Sequence, residues 1–450
     1  MDFEERLRHY ARGFRREATP AANLPVRLVS NLDAEPQRYG RFAALPNLAM
    51  AALVLVAAIG LGFAALQLRN FNQQAHQGPI GIGTTPTPSV VPTVSPTVSP
   101  SATASPSATA TPSSTAPAVS VPGLAAIQMV GARLGWAVGS GGIYGTTDGT
   151  HWARLYSSSD QFIGVDFISG TTGWVVGLSG FLGTTDGGRS WQQLAEPAQP
   201  LRSVHFFSQS QGVGIAGGNT TPEMGIVWSG GTVVTTTDGG RSWNSMRTPS
   251  NPQSVCFTDS SHGWLATGDR VVYRTVNGGS VWNRSLVMQD TGAGQYGYAR
   301  IECAGPTGLW VDWAPGGAAA GHSPYVVYVT VDGQHWRTVM AEPGTVGNQL
   351  PGVPAGPGSY PGSFSAVDAG DAVFVGDTPA ASNQSTMIAT NGGQTLKSTG
   401  GVPQSFGTNG AAFISTSTGW VIAQTDNQQI VIEKTSDGGY HWSAQLSLPR

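Results

Sequence analysis

Seven short segments of the chain each set one acidic or amide side chain beside glycine, and carboxylates at glycine turns are the raw material of calcium loops. Written from the Asp or Asn, they read TTDGTHW (Asp148), TTDGGRSW (Asp186), TTDGGRSW (Asp238), TVNGGSVW (Asn277), TVDGQHW (Asp332), ATNGGQTL (Asn391) and TSDGGYHW (Asp437). The second and third, Thr184–Trp191 and Thr236–Trp243, are identical letter for letter. A calcium ion takes about six to eight oxygen ligands. Each segment offers one carboxylate, and Asn replaces Asp at 277 and 391, so no metal site is expected from them. The same residues suit a hairpin. The Asp or Asn accepts bonds from backbone N–H groups across the turn, the glycines supply positive φ, and neighbouring Ser or Thr bond locally. The aromatic residue that follows returns apolar surface to the space between sheets. It is Trp152, Trp191, Trp243, Trp282, Trp336 or Trp442 in six of the segments. The motif is expected to build the fold.

Spacing then reveals the elements that carry these turns. Successive segments lie 38, 52, 39, 55, 59 and 46 residues apart. Upstream of most lies a second landmark, GWAVG (Gly135), GWVVG (Gly173), GVGIAG (Gly212), GWLATG (Gly263), GLWVDW (Gly308), AVFVG (Ala372) and GWVIA (Gly419), and before it a short strand-like run such as SVHFF or QSVCF. Each unit reads as strand, short turn, strand, loop, strand, DGG turn and Trp-initiated strand. Units of about 40–50 residues with four strands each are propeller blades. The expectation is an all-β, seven-bladed propeller over 123–450.

The S/T-x-D-x-G-x-S/T-W pattern resembles the Asp-box, or BNR, repeat of sialidases, two-propeller xyloglucanases, sortilin and the photosystem II assembly/stability factor-like propellers, and the paired GW-x-VG and TTDGGxxW segments look most like that last group. The resemblance covers about three-quarters of the chain. It implies a propeller whose boxes are structural turns remote from any active site, with a general assembly or binding role. The enzyme branches of the resemblance fare poorly. A sialidase needs an R-I-P segment near the domain start, which this sequence lacks, and a xyloglucanase cleft needs two propellers where there is length for one. Glycoside hydrolysis needs two carboxylates about 5–10 Å apart. Asp290, Glu302 and Asp312 are candidates, but scattered acids are ordinary on a soluble surface. The eight histidines show no HExxH spacing. No catalytic residue and no cofactor is expected.

In such a propeller the 1–2 and 3–4 connections open on one face and the 2–3 and 4–1 connections on the other. The extra length falls in the second class, at 217–232, 286–299, 313–324, 341–366 and 376–386. Loops on a rigid scaffold carry recognition, and these hold Trp228, Tyr296, Tyr298, Trp313 and Tyr360, side chains suited to an interface. They are the expected ligand-binding residues. Cys256 and Cys303 fall in first strands of neighbouring units; a disulfide and a pair of buried thiols both remain open.

Three segments precede the propeller. Leu48–Leu68 is a 21-residue uncharged run, long enough to cross a hydrocarbon core, so 45–68 is expected to be a transmembrane helix. Residues 1–70 carry nine Arg against six acids, with Arg38 and Arg41 on the near flank of the run. The positive-inside rule places 1–44 in the cytoplasm and the rest outside. That tail, DFEERLRHYARGFRRE at its start, reads as a basic helix on lipid headgroups or a docking helix for a cytoplasmic regulator. Residues 69–122, rich in Pro, Ser and Thr, read as a disordered stalk. The remainder of the chain has 14 basic against 20 acidic residues and only two lysines, Lys397 and Lys434, which speaks against nucleic acid. The expected function is non-catalytic binding of a surface protein or glycan, in the manner of an assembly module. An exported glycoside hydrolase and transmembrane signalling through the tail are the alternatives.

Overall fold

The structure, a computed structural model, describes residues 123–450 apart from 222–226, 290–296, 315–321, 343–349, 379–384, 404, 426–428 and 449–450. The tail, the apolar run and the stalk lie outside the described residues. Among those described, no helix is long and apolar enough to cross a membrane.

Strands are the regular elements of the described residues. The GW-type runs become the second strand of each unit, and Gly173–Gly177, Gly212–Ala216, Gly263–Thr267 and Gly308–Ala314 are buried along their whole length. Sheets pack on both of their faces, which is why these runs are continuously apolar instead of alternating. Repeats 3 to 7 each form a four-stranded antiparallel sheet, and repeat 3 carries an inserted two-stranded ribbon, Asn219–Thr221 with Val227–Ser229.

Repeats 1 and 2 depart from the expectation of seven separate blades. They share one six-stranded sheet, so six blade sheets house the seven repeat units. The cause is local. Trp152–Phe167 is one 16-residue strand that pairs first with Leu134–Thr146 and then with Gly173–Gly177. Its junction, YSSSDQF, is short enough for the strand to run through without a loop, whereas AEPAQP and TPSNP at the next two junctions carry prolines that interrupt the ladder.

First strands of successive repeats pack against one another, as do Leu124–Val130 and Ser405–Phe413 of the first and last repeats. These strands therefore ring the axis of a closed propeller. A hydrophobic cluster fills each interface between successive repeats. The cluster joining repeat 7 to repeat 1 sets Trp420, Ile422 and Ile432 against Leu124, Ala137 and Tyr144.

A second device links the inner strands, and its chemistry varies among the junctions. Gln128 brackets Phe167, accepting from its N–H at 2.6 Å and donating to its C=O at 3.2 Å. Asp166 accepts from Phe206 N–H at 2.5 Å, and the His205 ring meets Phe257 C=O at 2.9 Å. Cys256 and Cys303 form a disulfide with Cα atoms 6.0 Å apart. Glu302 accepts from Ala366 N–H at 2.7 Å, and Ser365 from Phe413 N–H at 3.0 Å. At the closing junction Asn409 donates to Leu124 C=O at 3.1 Å.

Candidate functional site

The DGG turns use their chemistry internally. In the second, Asp186 accepts from Thr184 Oγ1 at 2.8 Å, Ser190 N–H at 2.9 Å and Ser190 Oγ at 2.5 Å, while Thr184 Oγ1 accepts from Gly188 N–H at 2.9 Å. Those donors, the Ser190 hydroxyl first, hold the Asp186 carboxyl down at about 2. His replaces the serine hydroxyl at the first, fifth and seventh turns, where His151, His335 and His441 meet Asp148, Asp332 and Asp437 through Nδ1 at 2.6–2.7 Å. Asn277 keeps the shape, accepting from Thr275 Oγ1 and Val281 N–H. At the sixth turn Ala389 has no hydroxyl for this role, and Asn391 itself adopts the left-handed conformation, with φ of 54°.

These turns also lock onto their surroundings. Gly187 N–H donates to Thr171 C=O at 2.8 Å, Gly239 to Ser210 at 2.9 Å and Gly438 to Ser417 at 2.8 Å. The DGG turns and the 1–2 turns thus share a face, and the other connections emerge opposite. The GW indoles cross to the turn of the next repeat: Trp136 donates to Gly187 C=O, Trp174 to Gly239 and Trp420 to Gly149, at 2.9–3.0 Å. From repeat 4 to repeat 5 Arg274 makes this bond instead, to Gly333 C=O at 3.0 Å, with its guanidinium 5.1 Å from the centre of the Trp264 ring. Among the described residues no group of three or more His, Cys, Asp or Glu is placed to hold a metal.

On the opposite face the expected ligand-binding residues separate. Trp313 is 1% exposed, in the core between repeats 4 and 5, so no partner can touch it. It belongs to the second strand of its unit, whose two faces are both covered, and not to the loop that follows. Tyr298 is half-buried against the cluster between repeats 5 and 6, and burial raises its phenol above the ordinary range. Tyr360 is half-buried at the start of an inner strand. Trp228 lies in the inserted ribbon, opposite Thr220. Tyr296 lies outside the described residues.

At the loop ends of the strands of repeats 5 and 6 lies a polar cluster with no counterpart among the sequence motifs. Arg300 lies near the start of the inner strand Tyr298–Ala304; its Nη2 donates to Gly362 C=O at 2.9 Å and reaches Asp312 Oδ2 at 3.5 Å, and its guanidinium lies 5.0 Å from the centre of the Phe364 ring. Asp312, 2% exposed, projects from the second strand of the same repeat. Asp377, at the end of the corresponding strand of repeat 6, accepts from Thr408 N–H at 2.9 Å and Thr408 Oγ1 at 3.0 Å. Tyr325 donates its hydroxyl proton to Gly358 C=O at 2.9 Å. A water-sized pocket is lined by Asp312, Tyr325, Val327, Pro357, Ser363, Phe374 and Val375. Burial pushes Asp312 and Asp377 up to about 7, against the pull of Arg300 on the first and of Thr408 on the second. Glu302 is also pushed up to about 7 by burial. It is committed to the Ala366 N–H, and Asp290, the third acid considered for hydrolysis, lies outside the described residues. The sequence hinted at the cluster only through single ionisable residues inside apolar runs, GLWVDWA and AVFVGD.

No protein-family model matches the chain. A 110-residue stretch, 24% of this chain and 28% of the relative, is 32% identical to the photosystem II assembly lipoprotein Ycf48 of Synechococcus sp. (strain CC9902). A 51-residue stretch, 11% of this chain and 15% of the relative, is 47% identical to the Ycf48 of strain CC9605. The matched stretches thus span less than a third of either relative. Among solved structures, YCF48 bound to D1 peptide is 16% identical at a TM-score of 0.46, over 68% of this chain and 92% of that one. YCF48 from Cyanidioschyzon merolae is 16% identical at 0.45, over 71% and 97%. An ancestral GH74 enzyme is 15% identical at 0.48, over 74% and 49%.

Proposed function

We propose that the protein is a non-catalytic binding module for a protein partner, anchored in a membrane by 45–68 and displayed outside it on the 69–122 stalk, and that it assists assembly of a membrane complex. The single observation that carries the reading is the 32% identity to an assembly lipoprotein over 110 residues. The photosystem itself is not carried over. The Cys256–Cys303 disulfide is in keeping with an oxidising compartment. In this reading the partner is held on the long-loop face, with Trp228 and Tyr360 as aromatic contacts and Tyr298 at the margin, while the seven turns of the opposite face are Asp-box turns with a structural role only.

The test uses the full chain, solubilised from native membranes with its neighbours crosslinked, beside a Trp228→Ala/Tyr360→Ala variant of equal thermal stability. The expected result is a specific crosslinked protein lost at least tenfold in the variant. A partner retained equally by both sinks the choice of face. Release of reducing sugar from xyloglucan or sialoside by the purified chain would replace the binding reading with a hydrolase.

A further inference from the structure

The seven DGG turns share one design, so a position that breaks it for no local reason stands out. The residue before the Asp or Asn is Thr147, Thr185, Thr237, Thr390 or Ser436 in five turns, but Val276 and Val331 in the fourth and fifth. The position that supplies a hydroxyl or imidazole elsewhere, as Ser190, Ser242 and His335 do, is Val281 in the fourth. The turn gains nothing from these changes. Thr275 Oγ1 and Val281 N–H still bond Asn277 Oδ1, at 3.0 and 2.9 Å, and neither bond uses a valine side chain.

The valines are turned to solvent. Val276 is 54% exposed, Val281 51% and Val331 47%, and Val287, at the end of the outermost strand Asn283–Val287 that leaves the turn, is 60% exposed. Four of the seven large apolar side chains exposed among the described residues thus belong to two successive repeats. The bond from Arg274 to Gly333 C=O joins the fourth turn to the fifth, so both lie on one stretch of the outer edge. Between Asp269 and Asp290 the sequence has three arginines and no acid. Arg284 on this strand and Arg337 on the outermost strand of repeat 5 are exposed, while Asp332 of the fifth turn is held by His335 Nδ1 at 2.6 Å. Single surface valines need no explanation, but a group of them beside arginines does.

The occupant follows from size and charge. A stable protein interface takes about 800 Å² and roughly 20–30 residues from each side, far more than this edge offers. A surface to which the chain is already tethered needs much less, because the tether keeps the two at high local concentration. Valines with arginines suit the boundary between acyl chains and anionic headgroups. We propose that the edge formed by the fourth and fifth turns and the strand Asn283–Val287 is a docking surface for an anionic lipid bilayer. Val276, Val281, Val287 and Val331 enter the headgroup region, and Arg284 and Arg337 pair with lipid phosphates. The inference rests on the membrane anchor at 45–68 proposed above. Docking by this edge leaves the long-loop face open to a protein partner.

The full chain is reconstituted into vesicles of zwitterionic lipid, with or without anionic lipid. An environment-sensitive fluorophore is attached at Ser280→Cys in the fourth turn or, for comparison, at Arg241→Cys in the same position of the third; the native cysteines are held in their disulfide. With anionic lipid the label at Ser280→Cys should shift its emission to the blue and be quenched by nitroxide-bearing lipid. The label at Arg241→Cys should do neither, and high salt should weaken the contact. Val276→Thr/Val281→Ser, which copies Thr237 and Ser242 of the third turn, should abolish both signals at an unchanged melting midpoint. Equal signals from the two labels, or signals that persist in this variant, overturn the proposal, because the stalk alone then brings the domain to the surface. Silence from both labels in vesicles that retain the chain through alkaline extraction also overturns it and leaves the anchor standing. Loss of the chain in that extraction removes the anchor and the docking together. Quenching in native membranes but never in pure lipid overturns it in favour of a protein partner.

Discussion

The outer turns and the inner strands hold the same ring by opposite strategies. At the periphery one solution recurs: a Thr hydroxyl, an Asp or Asn, a left-handed glycine, and an indole reaching the next turn, as in Thr236, Asp238, Gly240 and Trp174. At the axis the junctions are bridged by several chemistries: amides, carboxylates, an imidazole, a disulfide and a hydroxyl. The difference follows from what each place demands. A turn must satisfy its own backbone, and few side chains do that. An inner-strand junction must only bridge one gap, for which any group of suitable length and polarity will serve.

If that comparison is right, the junctions are unequal and the turns nearly equivalent. The largest effect should come from Cys256→Ala/Cys303→Ala, because the bond closes a loop of 47 residues. The chain-entropy relation gives a loss of about 4 kcal/mol. Urea unfolding of the double variant, compared with Ser365→Ala at the hydrogen-bonded junction of repeats 6 and 7, is the measurement. Equal losses from the two would show that the axial links are interchangeable.

Next in size is Trp174→Phe at a repeated link. Trp174 is 3% exposed, stacks on Phe206 with ring centres 3.5 Å apart, and donates to Gly239 C=O. Phenylalanine keeps the stack but leaves that carbonyl without its donor and a small void, at a cost of about 2 kcal/mol. The same substitution at Trp264 should cost less in hydrogen bonding, since Arg274 makes the equivalent link there.

This split explains what could be read from the sequence. The turns were legible because their chemistry is local: Asp186 and Ser190 bond within five residues, so the pattern survives as letters. The second strands were legible because burial on both faces forces an apolar run. The fusion of repeats 1 and 2 was not, since it rests on one strand running unbroken through YSSSDQF, a continuity that no motif records and that the equally proline-free MQDTGAGQYGY of the junction of repeats 4 and 5 does not share. Trp313 was misplaced for a related reason: its strand runs on to Ala314, one residue past it, so it packs in the core. The Arg300, Asp312 and Asp377 cluster was illegible because its members lie on three strands of two repeats, at positions where other repeats carry unrelated residues.

A smaller effect with a definite pH signature belongs to Glu302. Its folded pKa is raised from the ordinary value to about 7, so the folded state holds a proton that the unfolded chain has released. Stability should therefore fall as pH rises from about 4.5 to about 7 and level off above. Glu302→Gln, which can still accept from Ala366 N–H, removes that loss. It should match wild type at pH 4.5 and exceed it by about 1 kcal/mol at pH 8, after allowance for relaxation around the buried group. A gap that widens toward acid pH would mean that the carboxylate is stabilising when ionised, and the axial links would then include a true ionic one.

The smallest effect should be at the best-kept turn. Asp238 accepts from Arg241 N–H, Ser242 N–H, Thr236 Oγ1 and Ser242 Oγ. Asn277 holds the same position in the next repeat, and there the serine is replaced by Val281, which bonds through its backbone alone. An amide therefore suffices for the turn, and the charge serves the extra hydroxyl. Asp238→Asn should change stability at pH 7 by less than about 0.5 kcal/mol, because the group is exposed and its partners are screened. The Ser242 hydroxyl and the backbone donors hold the Asp238 carboxyl down at about 2. Its contribution is complete above the unfolded value near 4 and is lost as pH falls from about 4 toward 2. Urea midpoints of the two proteins should therefore converge between pH 5 and pH 2. A loss of more than about 2 kcal/mol at pH 7 would show that the carboxylate is indispensable to the turn. Asn277 would then need a different account, one in which repeat 4 tolerates the amide because Trp264 and Arg274 already fix that part of the ring.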